Sequence, residues 1–109
     1  MKVLSLLAAA AAMFAFALPA SAAADAEAAT KAMKDNGCTK CHSVDKAKKG
    51  PAYQKVAAKY KGKADAEAKL TEFLAKGPKV KMDDGSEEEH KALKDAATAK
   101  NLVQFILAQ

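Results

Sequence analysis

The sequence predicts a small all-α domain of about four short helices. Four stretches carry apolar residues at helical spacing, and Gly- or Pro-containing breaks separate them. No part of the chain alternates strands and helices as a parallel sheet requires. The 109 residues include no tryptophan, two tyrosines and four phenylalanines. Such a thin apolar core predicts that something other than side chains helps to hold the fold together.

The first 23 residues are predicted to be a cleaved secretory signal peptide. A positive start, the apolar run Val3 to Leu18 and a cleavage region of small residues follow one another. We expect cleavage after Ala22 or Ala23, which leaves residues 24–109 as the folded domain. A membrane anchor is the alternative, but the run is short and lacks a charged flank.

Capping and breaking residues set the expected ends of the helices. Asp25 can cap the first helix, Asn36 precedes a glycine that stops it, and Gly77 precedes a proline that stops the third. The helices are expected at Asp25 to Asn36, Ala52 to Lys59, Asp65 to Ala75, and from near Asp95 onward.

The last helix cannot begin much earlier than Asp95. In one helix from Ser86, Leu93 and Leu102 would lie on opposite faces, because each residue turns about 100°. The preceding stretch, Val80 to Ser86, is expected to be a short extended piece with an Asp-Gly turn.

The most specific motif is the segment from Cys38 to His42, in which two thiols two residues apart precede a histidine. This order is the attachment signature of a c-type haem. Each thiol forms a thioether to one vinyl group, and the histidine becomes the proximal iron ligand. The chain has no other cysteine, so the motif predicts one covalent haem c held by Cys38 and Cys41.

Three other interpretations of the two cysteines are weaker. A thioredoxin-like redox pair should accompany a strand and helix pattern that is missing here. A zinc site needs a second ligand pair, and only the distant His90 is available. A disulfide across so short a loop adds little stability and leaves His42 unexplained. Thiol redox chemistry is the main alternative.

Haem attachment fits export to a bacterial periplasm, where thioethers protect both thiols from oxidation. A buried porphyrin also supplies the apolar bulk that the chain lacks. We therefore expect the haem-free protein to be largely unfolded.

The basic residues suggest how the protein meets its partners. The formal net charge is +5, and the 18 basic residues are all lysine. The lack of arginine argues against nucleic-acid recognition. Lysines suit weak, salt-sensitive docking to an acidic partner, although a solvated surface that keeps the protein soluble explains them equally well.

Several segments resemble one family. The motif Gly37 to His42, then Gly50 to Tyr53 and Val56 to Tyr60, is similar to the short monohaem class I cytochromes c of bacteria, the cytochrome c-551 type. The similarity continues through Ala66 to Gly77 and resumes at Leu102 to Leu107.

This resemblance implies a small cytochrome c fold of about four helices wrapped around one covalently bound haem. It implies that the Pro51 carbonyl accepts a hydrogen bond from His42, and that the first and last helices cross near Gly37 and Phe105. It also implies a periplasmic electron carrier with one low-spin haem.

The sixth iron ligand departs from the family pattern, so His90 and Met82 are both candidates. The family places a methionine followed by proline before the last helix, whereas Met82 is followed by aspartate. The number of residues from His42 to the sixth ligand, and from that ligand to Phe105, fits the family pattern better for His90 than for Met82. Against His90, methionine is the commoner ligand, and Ser86 could begin a helix that leaves His90 exposed.

The predicted function is electron transfer without catalysis, between periplasmic redox proteins. We expect a monomer with no nucleic-acid partner and no stable membrane association after signal cleavage. Lysines near the haem edge, Lys40, Lys48 and Lys49, are candidates for docking. Two alternatives are a five-coordinate haem protein that binds or senses gases and a haem subunit of a larger oxidoreductase.

Overall fold

The computed structural model describes residues 24–109; the predicted signal peptide at 1–23 lies outside the described residues. The frame consists of four helices, α1 (Ala26–Asp35), α2 (Tyr53–Tyr60), α3 (Ala66–Lys76) and α4 (Ala96–Leu107). A single 3₁₀ turn, Cys38–Lys40, follows α1. A hairpin of β1 (Lys79–Lys81) and β2 (Glu87–Glu89) connects α3 to α4. The predicted all-α fold is confirmed, with this hairpin as an addition to it.

Aspartate side chains cap α1 and α4 at the helix starts that the sequence predicted. Asp25 caps α1 by accepting a 3.0 Å hydrogen bond from the Ala28 amide. Asp95 caps α4 by accepting from the Ala97 amide at 3.2 Å and the Thr98 hydroxyl at 2.8 Å.

None of the helices among residues 24–109 is long and apolar enough to cross a membrane.

Helix α4 is the centre of the fold and packs against α1, α2 and α3. Its Leu102 and Val103 are each 1% exposed and are the largest fully buried side chains in the described residues. Leu93 reaches the same core from the loop before α4. Because α4 begins at Ala96, Leu93 and Leu102 can both point inward, as the argument from helical faces required.

Two hydrogen bonds join the beginning of α1 to α4. The Asp25 amide donates to the Asn101 side-chain carbonyl at 2.8 Å, and the Asn101 amide group donates to the Asp25 carbonyl at 3.0 Å. Further along α4, Phe105 packs on the core cluster that contains Met33 of α1. The first and last helices therefore pack directly on one another.

The hairpin corrects part of the sequence prediction. Its strands pair antiparallel with Val80 opposite Glu88, and its turn lies between Met82 and Ser86, where the Met82 amide donates to the Ser86 carbonyl at 2.7 Å. The predicted extended piece thus contains the turn and part of β1, but β2 was missed. The competing prediction, a helix beginning at Ser86, was wrong because the three glutamates after it form a strand.

Candidate haem site

The two cysteines lie on a tight turn at the end of α1. Gly37 adopts a left-handed conformation, with φ of +69°, and reverses the chain after the helix. The amides of Cys41 and His42 then both donate to the Cys38 carbonyl, at 3.1 Å and 2.9 Å. Both cysteines are half-buried, and Cys38 packs on the core. Burial raises the pKa of the Cys38 thiol, and the nearby Lys91 ammonium opposes that effect.

The His42 ring is oriented by a backbone carbonyl. Its Nδ1 lies 2.7 Å from the Pro51 oxygen. Because a carbonyl can only accept a hydrogen bond, Nδ1 must carry the proton, and the lone pair is then on Nε2. The contact is the one that the family resemblance implies for Pro51, and it presents Nε2 as the nitrogen free to bind a metal.

Two neighbours restrict the same ring further. Tyr53, at the start of α2, stacks on it with ring centroids 5.1 Å apart and planes 18° from parallel. A Cβ on Gly50 would collide with the Cε1 atom of His42, so only glycine allows the chain to pass this close to the ring. The Gly50 amide also donates to the Cys41 carbonyl at 2.8 Å. The loop after the cysteines is therefore shaped around the His42 ring.

His90 lies in the loop after β2, half-buried, and its ring is held in a similar way. Its Nδ1 is 3.1 Å from the Lys91 carbonyl oxygen, which again leaves the lone pair on Nε2. Phe73 of α3 contacts the ring edge to face, with centroids 4.8 Å apart. Burial lowers the pKa of His90, partly offset by its hydrogen bond to Lys91, so the neutral, metal-binding form is favoured.

The two histidine rings face each other across the site. Their centroids are 6.1 Å apart and their planes are 51° apart. An iron bound by two imidazoles holds the ring centroids about 6 Å apart, because each iron–nitrogen bond is about 2 Å long. The residues present therefore fit a covalent haem, which Cys38 and Cys41 would attach and whose iron the two imidazoles could bind.

Met82 lies at the opposite end of the hairpin from His90. The His90 amide donates to the Pro78 carbonyl at 2.9 Å at the base, whereas Met82 bonds to Ser86 beside the turn. The four residue-to-residue steps from Pro78 to Met82 span about 13 Å of extended chain. Met82 and His90 therefore lie well apart along the hairpin, and the ring that lies beside the His42 ring is that of His90.

The predicted docking lysines lie near the cysteines. The Lys48 ammonium donates to the Thr39 carbonyl at 2.9 Å, on the turn between the two thiols. The Lys40 side chain lies along Gly37 at the start of that turn. Lys48 and Lys49 are both exposed. Lys91, which sequence reasoning did not select, lies close enough to affect Cys38.

Comparison with known proteins shows the family to which this chain belongs. The family model described as cytochrome c matches residues 26–109. The chain belongs to the cytochrome c family. Among solved structures, this cytochrome is similar to the class 1 cytochrome MtoD from Sideroxydans lithotrophicus, with 52% identity and a TM-score of 0.76. That match covers 79% of this chain and 97% of the other.

Other relatives are more distant or match over a shorter stretch. Cytochrome c552 of Nitrosomonas europaea is 31% identical with a TM-score of 0.61, over 72% of this chain and 95% of the other. Cytochrome c-551 of Pseudomonas aeruginosa is 48% identical over 40% of this chain. Cytochrome c2 of Rubrivivax gelatinosus is 47% identical over 50% of it. The aligned stretches span 42% and 60% of those two curated relatives.

Family membership and the single cysteine motif settle the cofactor. This cytochrome has one covalently bound haem c. Sequence reasoning did not identify the residues that shape the surroundings of the cysteines and the two histidines. Gly77, for example, was interpreted only as part of the signal that ends the third helix.

Proposed function

We propose that this cytochrome carries single electrons between periplasmic redox proteins, on a haem ligated by His42 and His90. Cys38 and Cys41 hold the porphyrin covalently, and Pro51 orients His42. When bound, the haem iron supplies the one-electron change between its ferric and ferrous states. The observation that supports the proposal most is the 6.1 Å separation of the His42 and His90 rings.

The surrounding residues prepare both imidazoles for this role. Carbonyl acceptors at Pro51 and Lys91 keep the proton on Nδ1 of each ring, so no proton has to move when Nε2 binds. Tyr53 and Phe73 pack against the two rings and exclude water from one side of each. Rings held this firmly need little rearrangement when the charge of the iron changes.

Two nitrogen ligands also affect the energy of the transferred electron. A methionine sulfur at the sixth position raises the reduction potential, whereas a second imidazole favours the ferric state. We therefore propose a lower potential than a histidine and methionine pair gives. The partners are then donors and acceptors at the lower end of the cytochrome c range.

The ligand assignment is tested by paired substitutions in the haem-loaded protein. His90→Ala should convert the low-spin ferric spectrum to a high-spin one and raise the reduction potential. Met82→Leu, which preserves volume at the other end of the hairpin, should leave both unchanged. If His90→Ala kept the low-spin spectrum and Met82→Leu lost it, Met82 would be the ligand. A high-spin wild-type protein would instead favour the five-coordinate, gas-binding alternative.

Export to the periplasm is the second part of the proposal. It is supported by the predicted signal peptide and by the thioether chemistry of Cys38 and Cys41. Mass spectrometry of a periplasmic fraction should find one haem on a chain that begins after Ala22 or Ala23. An uncleaved chain in the membrane fraction would contradict it, and copurification with a larger protein would favour the oxidoreductase-subunit alternative.

The third part concerns partner docking by a free monomer. Lys40, Lys48 and Lys49 are the lysines proposed from the sequence, and Lys91 lies near the same turn. Positive charge beside the haem edge steers an acidic partner toward the shortest electron path.

A further inference from the structure

The end of α3 packs unusually closely on the loop that contains His90. Gly77 ends the helix with φ of +55°, and its amide donates to the Phe73 carbonyl at 3.0 Å. A Cβ on Gly77 would lie 2.5 Å from the His90 carbonyl oxygen and 2.8 Å from the Ala92 amide nitrogen. Both are backbone atoms, so neither can move aside as the tip of a flexible side chain does.

Hydrogen bonds hold the two segments together on both sides of this contact. The His90 amide donates to the Pro78 carbonyl at 2.9 Å, and the Leu93 amide donates to the Leu74 carbonyl at 2.7 Å. Leu93 is also buried in the core. The backbone from His90 to Leu93 is therefore fixed along the end of α3, with Gly77 at the point of closest approach.

We propose that Gly77 is a positioning residue for the sixth haem ligand. Its missing side chain lets the His90 backbone approach α3, and that approach places the His90 ring 6.1 Å from His42. The inference rests on the proposed ligation by His90. A side chain at Gly77 pushes the His90 backbone away, weakens the iron–nitrogen bond and makes the sixth position accessible to other ligands.

The chain provides a matched control at Gly62. Gly62 also has a left-handed backbone, with φ of +76°, but a Cβ there would meet nothing within 4 Å. Gly77→Ala and Gly62→Ala therefore carry a comparable backbone strain, while only the first collides with His90. Gly77→Asn retains the collision with less strain, because asparagine tolerates this conformation, and it provides a second variant if Gly77→Ala folds poorly.

The test measures how fast exogenous imidazole binds to the ferric, haem-loaded proteins. Displacing His90 should make binding at least about tenfold faster in Gly77→Ala and Gly77→Asn than in wild type, because ligand geometry at this scale controls rates strongly. Gly62→Ala should bind imidazole at the wild-type rate. Equal rates in the Gly77 and Gly62 variants would overturn the proposal.

A separate measurement distinguishes this failure from failure of the proposed ligation. His90→Ala should bind imidazole fastest of all the variants and should have a high-spin spectrum beforehand. If His90→Ala behaved like wild type, His90 would not be the ligand, and the positioning role would fall with it. If His90→Ala responded and the Gly77 variants did not, only the role of Gly77 would be wrong.

Discussion

His42 and His90 face each other with ring centroids 6.1 Å apart, although 47 positions of sequence lie between them. Each ring makes a hydrogen bond from Nδ1 to a backbone carbonyl, at 2.7 Å for His42 and 3.1 Å for His90. Both therefore present an unprotonated Nε2. This pairing is the observation on which the proposed ligation of the haem iron by both histidines rests.

The first prediction concerns folding without haem. Among the described residues, five of the eleven buried core residues are alanine, and the largest fully buried side chains are Leu102 and Val103. A chain with Cys38→Ser and Cys41→Ser cannot attach haem and should lose most of its helical far-ultraviolet circular dichroism. A sharp, cooperative thermal transition in this double variant would contradict the prediction, because it would show that the side chains fold the chain without haem.

The second prediction concerns the centre of the core. Leu102 is 1% exposed on α4, which packs against the other three helices. Leu102→Ala in the haem-loaded protein should lower the free energy of unfolding by about 2–5 kcal/mol, because it leaves a cavity. Leu107→Ala, at a half-exposed position of the same helix, should have a much smaller effect in guanidinium unfolding. Equal losses would mean that α4 is not packed as described.

The third prediction concerns acid stability. The Thr98 hydroxyl, and then the Ala97 amide, lower the pKa of Asp95 by donating to its carboxylate. A carboxyl whose pKa is lower in the folded state contributes stability above its unfolded pKa of about 3.9 and loses that contribution as pH falls further.

The measurement compares urea midpoints of wild type and Asp95→Asn between pH 7 and pH 2. Asparagine still caps the helix but cannot ionise, so the advantage of wild type should shrink below about pH 4. Thr98→Ala removes one hydrogen-bond donor to the Asp95 carboxylate. The pH dependence of its urea midpoint should therefore lie between that of wild type and that of Asp95→Asn. A difference that stays constant with pH would contradict the role given to Asp95.

The fourth prediction concerns docking. Lys48→Glu reverses a charge beside the turn between the two cysteines, whereas Lys63→Glu makes the same change beside Tyr60, in the connection between α2 and α3. At low salt Lys48→Glu should slow electron transfer to an acidic partner by about tenfold or more. The difference should fade above about 0.1 M salt, where charges are screened beyond about 10 Å. Rates of both variants that do not respond to salt would rule out lysine-guided docking.

Sequence reasoning predicted the helices because their signals are local. Asp25 and Asp95 mark helix starts by their own capping chemistry, and Gly77 marks an end. The motif from Cys38 to His42 can also be recognised from the local sequence, because haem attachment requires those residue types at that spacing.

The missed features depend on contacts between distant segments. Nothing near Glu87 distinguishes a strand from a helix start, because the pairing of β2 is decided by Lys79 to Lys81. Likewise, Gly77 has no local feature that shows it lies against His90. The choice between His90 and Met82 stayed open in the sequence for the same reason, because it depends on where the hairpin places its two ends.

The optical spectrum of the ferric, haem-loaded wild type tests the central claim most directly. Sulfur bound to ferric haem iron produces a weak far-red band that two imidazoles do not. Ligation by His42 and His90 predicts a low-spin spectrum without this band, and Met82→Leu should leave the spectrum unchanged. A low-spin spectrum that contains the far-red band, and loses it in Met82→Leu, would contradict the account and assign the sixth position to Met82.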